Sequence, residues 1–181
     1  MPKRCGHFAG KELIGPEEMV AKVKAAVDSR RSEELLVIAR TDARSSEGIQ
    51  AALDRAARYI AAGADVTFVE APENEDEIRR IPQALSVPQI INLVVGGRTP
   101  IFDQAALKQM GFALVLYANV ALQGAILGMQ TALRALDRGG RIDEDSAVTV
   151  SFAERQRLVQ KGHYDELERQ YAAMADGKAQ Q

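Results

Sequence analysis

Reactive side chains are concentrated near the start of the chain, in the run Lys3-Arg4-Cys5-Gly6-His7. A cysteine acts as a nucleophile or proton carrier in its thiolate form, which neighbouring cations favour. The glycine lets the backbone bend, so that the cysteine and histidine side chains can face one ligand. The run therefore indicates acid–base or nucleophilic chemistry, and the alternative is an ordinary chain terminus.

Polar residues also follow apolar runs at three later points, Arg40, Glu70 and Asn92. A cation placed directly after an apolar run is costly unless it meets an anion. The guanidinium of Arg40 is suited to two-point binding of a carboxylate or phosphate, and Asp42 is close enough in sequence to orient it. The alternative is an internal ion pair between Arg40 and Glu70 that has no ligand.

The elements that must position these residues alternate along the chain. Short apolar runs with β-branched members are typical of strands that are buried on both faces of a parallel sheet. Arg40, Glu70, Asn92 and Tyr117, at the strand ends, are 30, 22 and 25 residues apart, the length of one strand–helix unit. Four strands are predicted, at residues 35–39, 66–69, 89–94 and 112–117.

Amphipathic segments between these runs predict helices. Ile49, Leu53 and Ile60 recur at helical spacing, with Ser45 or Ser46 as the expected N-cap and Gly63 as the expected C-terminal cap. Further helices are predicted from residue 74 or 75 to 85 and over 103–110. After residue 136 the pattern changes: 142–150 is expected to be extended or irregular, 152–173 to form two short helices, and the polar end from 174 to be disordered.

Four such units fit either a small open doubly wound sheet or one half of a (β/α)8 barrel, since a full barrel needs roughly 250 residues. The glycine pair Gly96-Gly97 is not a dinucleotide-binding turn, and the sequence has no Walker motif.

Composition excludes several classes of function. The net charge is −2 and both signs are interspersed, which does not indicate binding to nucleic acid or to a membrane surface. Aromatic residues make up only 5% of the chain, which argues against a surface that stacks bases. One cysteine fits a reducing compartment, and the polar, basic first residues are unlike a signal peptide. A cytoplasmic protein is therefore expected.

With these residues in view, the chain resembles the isocitrate lyase and phosphoenolpyruvate mutase superfamily, and within it the 2-methylisocitrate and dimethylmalate lyases and the carboxyvinyl-carboxyphosphonate phosphorylmutases. The resemblance runs from about Lys3 to Leu136. Its motifs are Lys3–Phe8, Ile38–Arg44, Phe68–Pro72 and Asn92–Val94 before Gly96–Pro100.

This resemblance implies the C-terminal half of a (β/α)8 barrel with a helical tail. Residues 1–140 would supply the equivalents of barrel strands 5–8, with an active-site loop at 1–15, and residues 141–181 the tail. It also implies a carbon–carbon lyase that uses Mg²⁺ to hold an enolate of a small α-keto or hydroxy di- or tricarboxylate.

Roles for individual residues follow from the same resemblance. Cys5 resembles the residue that exchanges a proton with the enolate carbon, with Lys3 and His7 as its companions on a closing loop that also holds Gly6. Substrate binding is carried over to the three strand-end residues. Arg40 resembles an arginine that binds a substrate carboxylate, Glu70 a carboxylate that faces the substrate or supports residues that do, and Asn92 a substrate-binding amide.

The sequence departs from the family at two points. Val95 stands where many lyase relatives carry a glutamate, and the strands that hold the magnesium ligands in the family would precede Met1. Since Asp42 and Glu70 alone do not make a Mg²⁺ site, most metal ligands are expected in that N-terminal portion, and a shortened chain is expected to be impaired.

Three functions remain open at this stage. The first is the lyase, and the second is a catalytically dead dicarboxylate-binding or assembly module. The third, a phosphonate mutase or phosphoenolpyruvate hydrolase, is disfavoured by Cys5, because the mutases lack cysteine at that loop position.

Self-association is expected through the segment Val120–Leu136, which is apolar on more than one face and carries Gly124 and Gly128 four residues apart. Relatives exchange their last barrel helix between subunits, and so the resemblance implies a homo-oligomer, a tetramer in the complete protein. The alternative is that the tail of the same chain covers this segment.

Overall fold

The computed structural model describes the backbone of residues 12–178 and the side chains of residues 12–174. It contains four strands and seven α-helices in the order α1 (Pro16–Ser29), β1 (Ile38–Thr41), α2 (Arg44–Ala61), β2 (Val66–Val69), α3 (Glu75–Ala84), β3 (Gln89–Val94), α4 (Gln104–Met110), β4 (Leu114–Ala118), α5 (Val120–Gly139), α6 (Phe152–Leu158) and α7 (Lys161–Lys178). A single 3-10 turn, Glu144–Ser146, lies between α5 and α6.

The four strands form one sheet in the order β1-β2-β3-β4, and every neighbouring pair is parallel. Parallel neighbours that are consecutive in sequence require a crossover between them, which α2, α3 and α4 provide. Within the described residues, β1 and β4 are the edges of the sheet.

One face of the sheet packs against the helices and forms the main core. Val69, Ile91 and Leu93 point to this outer face and are each 1% exposed. They belong to one cluster with side chains from the crossover helices, namely Ala52, Leu53 and Ala56 of α2, Ile78 and Ile81 of α3, and Leu107 and Met110 of α4.

The opposite, inner face holds a smaller apolar layer. Val66, Phe68 and Ile90 are buried there on the two central strands. On the edge strands, Ile38 is in register with Val66 and Leu114 with Ile90, and they are 51% and 49% exposed. Leu116, in register with Asn92, is 44% exposed.

Local sequence signals explain where α3 and α4 begin and end. The side chains of Asn74 and Asp103 each accept a hydrogen bond from a backbone N–H of the first turn. Gly111 ends α4 with a φ of +102°, a conformation that glycine adopts without strain. Both helices agree with the sequence prediction.

Two predicted details are wrong. The first strand begins at Ile38, because residues 32–36 form a turn in which Leu35 and Leu36 are exposed. Neither Ser45 nor Ser46 caps α2, since this helix starts at Arg44 immediately after the strand, and Gly48, with a φ of +85°, interrupts it. Helix α1 was not predicted at all.

Residues 121–178 form a separate compact unit of helices. Two helices, α6 and α7, follow an irregular stretch there, as predicted. Helix α7 is longer than expected and continues to Lys178, so the disorder predicted from residue 174 is wrong for residues 174–178. None of the residues described in α5 or α6 is buried. The backbone contacts divide the chain after Val120, whereas the boundary predicted from sequence at residue 140 follows the end of α5 and stays a prediction.

No helix within residues 12–178 is long and apolar enough to cross a membrane.

Candidate active site

The polar residues predicted at the strand ends come together at the carboxyl edge of the sheet. Arg40 lies on β1 and Glu70 directly follows β2, with 3.5 Å between Nη2 of Arg40 and Oε2 of Glu70. The amide nitrogen of Asn92, on the third strand, donates to Oε1 of Glu70 at 3.3 Å. The structure thus brings three of the predicted binding residues into one cluster.

Asp42 fixes the orientation of the Arg40 guanidinium. Nε and Nη2 of Arg40 donate to the two carboxylate oxygens of Asp42 at 2.7 and 3.1 Å. The contact was expected from the sequence, because Asp42 is two residues away and just beyond the end of β1. A planar guanidinium held at two atoms by one carboxylate has a defined orientation.

Burial differs sharply within the cluster. The side chain of Glu70 is 1% exposed, whereas that of Arg40 is 42% exposed. Asn92 is buried, and its carbonyl oxygen has no hydrogen-bond partner among the described residues. Because a buried carbonyl without a partner is costly, this oxygen is a natural acceptor for a ligand hydroxyl.

Phe68 also lies at the site, a position that was not predicted from the sequence. The guanidinium carbon of Arg40 lies 5.0 Å from the centre of the Phe68 ring, within range of a cation–π contact. Phe68 precedes Glu70 by two residues and so points to the same face of the sheet. The spacing of two residues between Phe68 and Glu70 was therefore the signal in the sequence that could have predicted Phe68 as part of the site.

The other predicted site residues, Lys3, Cys5, Gly6 and His7, lie outside the described residues. Val95, where a glutamate was noted in relatives, is 59% exposed in the loop after β3.

The described residues do not fit a complete magnesium site. Among them there is no group of three or more His, Cys, Asp or Glu side chains close enough to hold a metal ion. Asp42 and Glu70 are two carboxylates that both contact Arg40, whereas Mg²⁺ prefers six oxygen ligands in octahedral geometry.

Comparison with known proteins decides the family. The family model described as phosphoenolpyruvate phosphomutase matches residues 4–137, which is more than half of the chain. The chain belongs to the isocitrate lyase/phosphoenolpyruvate mutase superfamily.

Lyases are among the similar members of the superfamily. The chain is 38% identical over 172 residues to 2,3-dimethylmalate lyase of Eubacterium barkeri, and the match covers 95% of this chain and 60% of that protein. It therefore spans less than two thirds of the length of this relative.

Solved structures of the superfamily confirm the fold. A crystal structure of 2,3-dimethylmalate lyase matches with a TM-score of 0.83 and 31% identity, and the match covers 93% of this chain and 56% of that one. Phosphonopyruvate hydrolase in complex with oxalate and Mg²⁺ matches with a TM-score of 0.76 and 27% identity over 91% and 59% of the two chains. The predicted partial (β/α) barrel with a helical tail is thus confirmed.

Proposed function

We propose that this chain carries the carboxylate-binding part of the active site of a carbon–carbon lyase that acts on a small hydroxy or α-keto di- or tricarboxylate. The observation that supports the proposal is the cluster of Arg40, Asp42, Glu70 and Asn92 at the carboxyl ends of adjacent parallel strands, the edge where (β/α) barrels bind ligands.

Each residue has a distinct task in this proposal. Arg40 binds one substrate carboxylate, and Asp42 together with the Phe68 ring holds its guanidinium in place. The carbonyl oxygen of Asn92 and the carboxylate of Glu70 accept a hydrogen bond from the substrate hydroxyl. The site selects for a hydroxy acid, because a substrate without the hydroxyl gives no donor to the buried carbonyl oxygen of Asn92, which has no partner among the described residues.

In carbon–carbon cleavage beside a hydroxyl, the hydroxyl gives its proton to the Glu70 carboxylate, and its carbon becomes a carbonyl as the bond breaks. The other fragment leaves as an enolate whose carbon must receive a proton. We assign that proton transfer to Cys5, with Lys3 and His7 as companions and Gly6 in the same loop. In a chain extended at its N-terminus to the length of its lyase relatives, Cys5→Ser should keep substrate binding nearly intact while kcat for cleavage of a dimethylmalate-type substrate falls by roughly 100-fold or more. Normal turnover by the serine variant would contradict proton transfer by Cys5 and leave the segment around it only a role in closing over the substrate.

Mg²⁺ dependence is part of the proposal, because a relative of similar fold is described in complex with oxalate and Mg²⁺. The second candidate is a binding module that keeps the carboxylate site without catalysis. The contact between Arg40 and Glu70 favours it, since an ion pair of this kind also stabilises a protein that has no substrate.

Calorimetric titration with malate and with succinate, which lacks the hydroxyl, tests the site. Malate should bind more tightly than succinate, and Arg40→Lys, which loses two-point contact, should weaken both at least tenfold, about 1.4 kcal/mol. Asn92→Ala should weaken malate alone. The control is Arg79→Lys, whose side chain forms an exposed pair with Glu75 on α3.

The outcomes separate the candidates. Affinity for malate that rises with added Mg²⁺ supports the lyase. Binding of both acids with no effect of Mg²⁺ supports the module without catalysis. Absence of binding to either acid contradicts both.

We also propose that the chain forms homo-oligomers through α5. Its apolar side chains Leu122, Met129 and Leu133 are 58%, 58% and 66% exposed. Exposed apolar surface on this scale marks an interaction site more often than an ordinary surface. Sedimentation at micromolar concentration should show an oligomer that Leu133→Glu dissociates, and a monodisperse wild-type monomer would contradict the assembly.

A further inference from the structure

The turn that follows Glu70 has a strained backbone. Ala71, which is buried, has a φ of +58°, in the left-handed region that non-glycine residues rarely adopt. Such a conformation persists when surrounding contacts hold it in place. The contacts around this turn therefore help to set the direction of the Glu70 side chain.

Arg44, the first residue of α2, makes the strongest of these contacts. Its Nε and Nη2 donate to the two carboxylate oxygens of Glu77 at 2.9 and 2.8 Å, and its Nη1 lies 2.5 Å from Oε1 of Glu73. The side chain of Arg44 is only 16% exposed. The Arg44 guanidinium thus contacts both Glu73, in the segment that follows Glu70, and Glu77, in the first turn of α3.

The carboxylate of Glu77 ties the same segment together from within. It accepts the backbone N–H of Glu73 at 2.8 Å, while the backbone N–H of Glu77 donates to the capping side chain of Asn74 at 2.9 Å. At the other end of the turn, the N–H of Glu70 donates to the carbonyl oxygen of Thr41 at 3.0 Å. Both ends of the turn are therefore anchored to residues 41–44, where β1 runs into α2.

The charges of the pair are mutually stabilised. Hydrogen bonding to Glu77 raises the pKa of Arg44, although burial opposes this. Burial alone would raise the pKa of Glu77, but hydrogen bonds from Arg44 and from the N–H of Glu73 lower it overall. Arg98, in the loop after β3, lies 3.6 Å from Glu73 and brings a third loop to the same cluster.

We propose that Arg44 is a positioning residue that acts through the turn 70–74 to aim the Glu70 carboxylate at the substrate hydroxyl. The proposal rests on the function given above for Glu70. The proposal predicts that loss of Arg44 removes the preference for a hydroxy acid and leaves the contact between Arg40 and the substrate carboxylate in place.

The test compares malate and succinate binding by calorimetry in wild type, Arg44→Met and the matched control Arg79→Met. Arg79 pairs with Glu75 within α3, the helix that also carries Glu77, and both side chains are half exposed. In Arg44→Met, we expect malate affinity to fall at least fivefold and succinate affinity to change by less than twofold. Arg79→Met should bind both acids like wild type. In a Glu70→Gln background, Arg44→Met should have little further effect on malate.

Hydrogen exchange supplies a readout that needs no ligand. The amides of Glu70 and Glu73 should exchange faster in Arg44→Met than in Arg79→Met, because the first variant releases the turn. If Arg44→Met does not fold, Glu73→Gln replaces it, since Glu73 is more exposed and its loss removes one of the two carboxylates that Arg44 contacts.

The outcomes distinguish this proposal from the proposed function. Equal loss of malate and succinate binding in Arg44→Met, or an unchanged preference for malate, would overturn the positioning role. The same holds if Arg44→Met has its full effect in the Glu70→Gln background. If wild type binds neither acid, the proposed function fails, and unchanged exchange at Glu70 and Glu73 would then overturn the positioning role as well.

Discussion

The two faces of the sheet are built from strands of similar composition but are buried to very different degrees. On the outer face Ala39, Val69 and Ile91 are each 1% exposed beneath the helices. On the inner face the central strands are covered, but Ile38 and Leu116 on the edge strands are 51% and 44% exposed. The outer face therefore supplies most of the folding free energy, and the inner face carries the candidate site at one end.

This difference has a simple origin. Each crossover helix packs on the same side of the parallel sheet and buries the residues of one parity along every strand. Residues of the other parity, which include Arg40, Phe68, Glu70 and Asn92, form the inner face. Stability and ligand binding are thus divided between alternate residues of the same strands.

The largest predicted effect is a loss of stability on the outer face of the sheet that is not matched on the inner face. Ile91→Ala should lower the free energy of unfolding by about 2–5 kcal/mol, because it leaves a cavity in the outer core. Leu116→Ala removes a half-exposed side chain and should cost less than about 1 kcal/mol. Urea denaturation followed by circular dichroism measures both. Equal losses would show that the inner face is as well covered in solution as the outer one.

A smaller effect concerns the ion pair that joins two helices of the outer layer, α2 and α3. Glu77→Gln should lower the free energy of unfolding at pH 7 by about 1–3 kcal/mol, since it weakens charge-assisted hydrogen bonds to Arg44. The matched control Glu75→Gln, in an exposed pair with Arg79, should cost less than about 0.5 kcal/mol.

The difference in stability between wild type and Glu77→Gln should depend on pH, because the pKa of Glu77 is lowered in the folded state. A carboxyl whose pKa is lower in the folded state stabilises the fold above its unfolded pKa, about 4.3, and loses that contribution as pH falls through the folded value. The gap between wild type and Glu77→Gln should therefore shrink below about pH 4.3. A gap that stays constant from pH 7 to pH 3 would contradict the assigned role of the charge.

The smallest effect tests the inner face. Phe68→Leu keeps an apolar side chain beneath Arg40 but removes the aromatic ring, and succinate affinity should fall about two- to fivefold, or about 0.5–1 kcal/mol. Ile90→Leu, on the same face without an aromatic ring, is the control and should bind like wild type. A loss as large as that of Arg40→Lys would mean that the ring packs the site as a whole.

Many of the strand and helix bounds, and the polar residues at the strand ends, could be predicted from local sequence patterns. Continuous apolar runs located β2 and β3 with their full bounds, and Asn74, Asp103 and Gly111 marked the ends of helices. These signals are local: a cap or a buried strand depends on side chains within a few residues. The strand-end residues Arg40, Glu70 and Asn92 were found for the same reason.

Other features depend on contacts that a local pattern does not contain. Leu35 and Leu36 look like part of a strand, but the hydrogen bond from the N–H of Val37 to Asp65, 28 residues away, helps to end the irregular segment there. The link from Arg44 to Glu77 spans 33 residues and gave no signal in the sequence beyond two charged residues among many.

By itself, the sequence determined the strand–helix alternation, the polar residues at the strand ends and, through its motifs, membership of the superfamily. Only the tertiary structure decided that Glu70 is buried between Arg40 and Asn92 and that the strained turn at Ala71 is anchored by Arg44. The physical reason is that hydrogen bonding and burial are set by distances between side chains from different strand–helix units. Those distances are fixed once the parallel strands are in register.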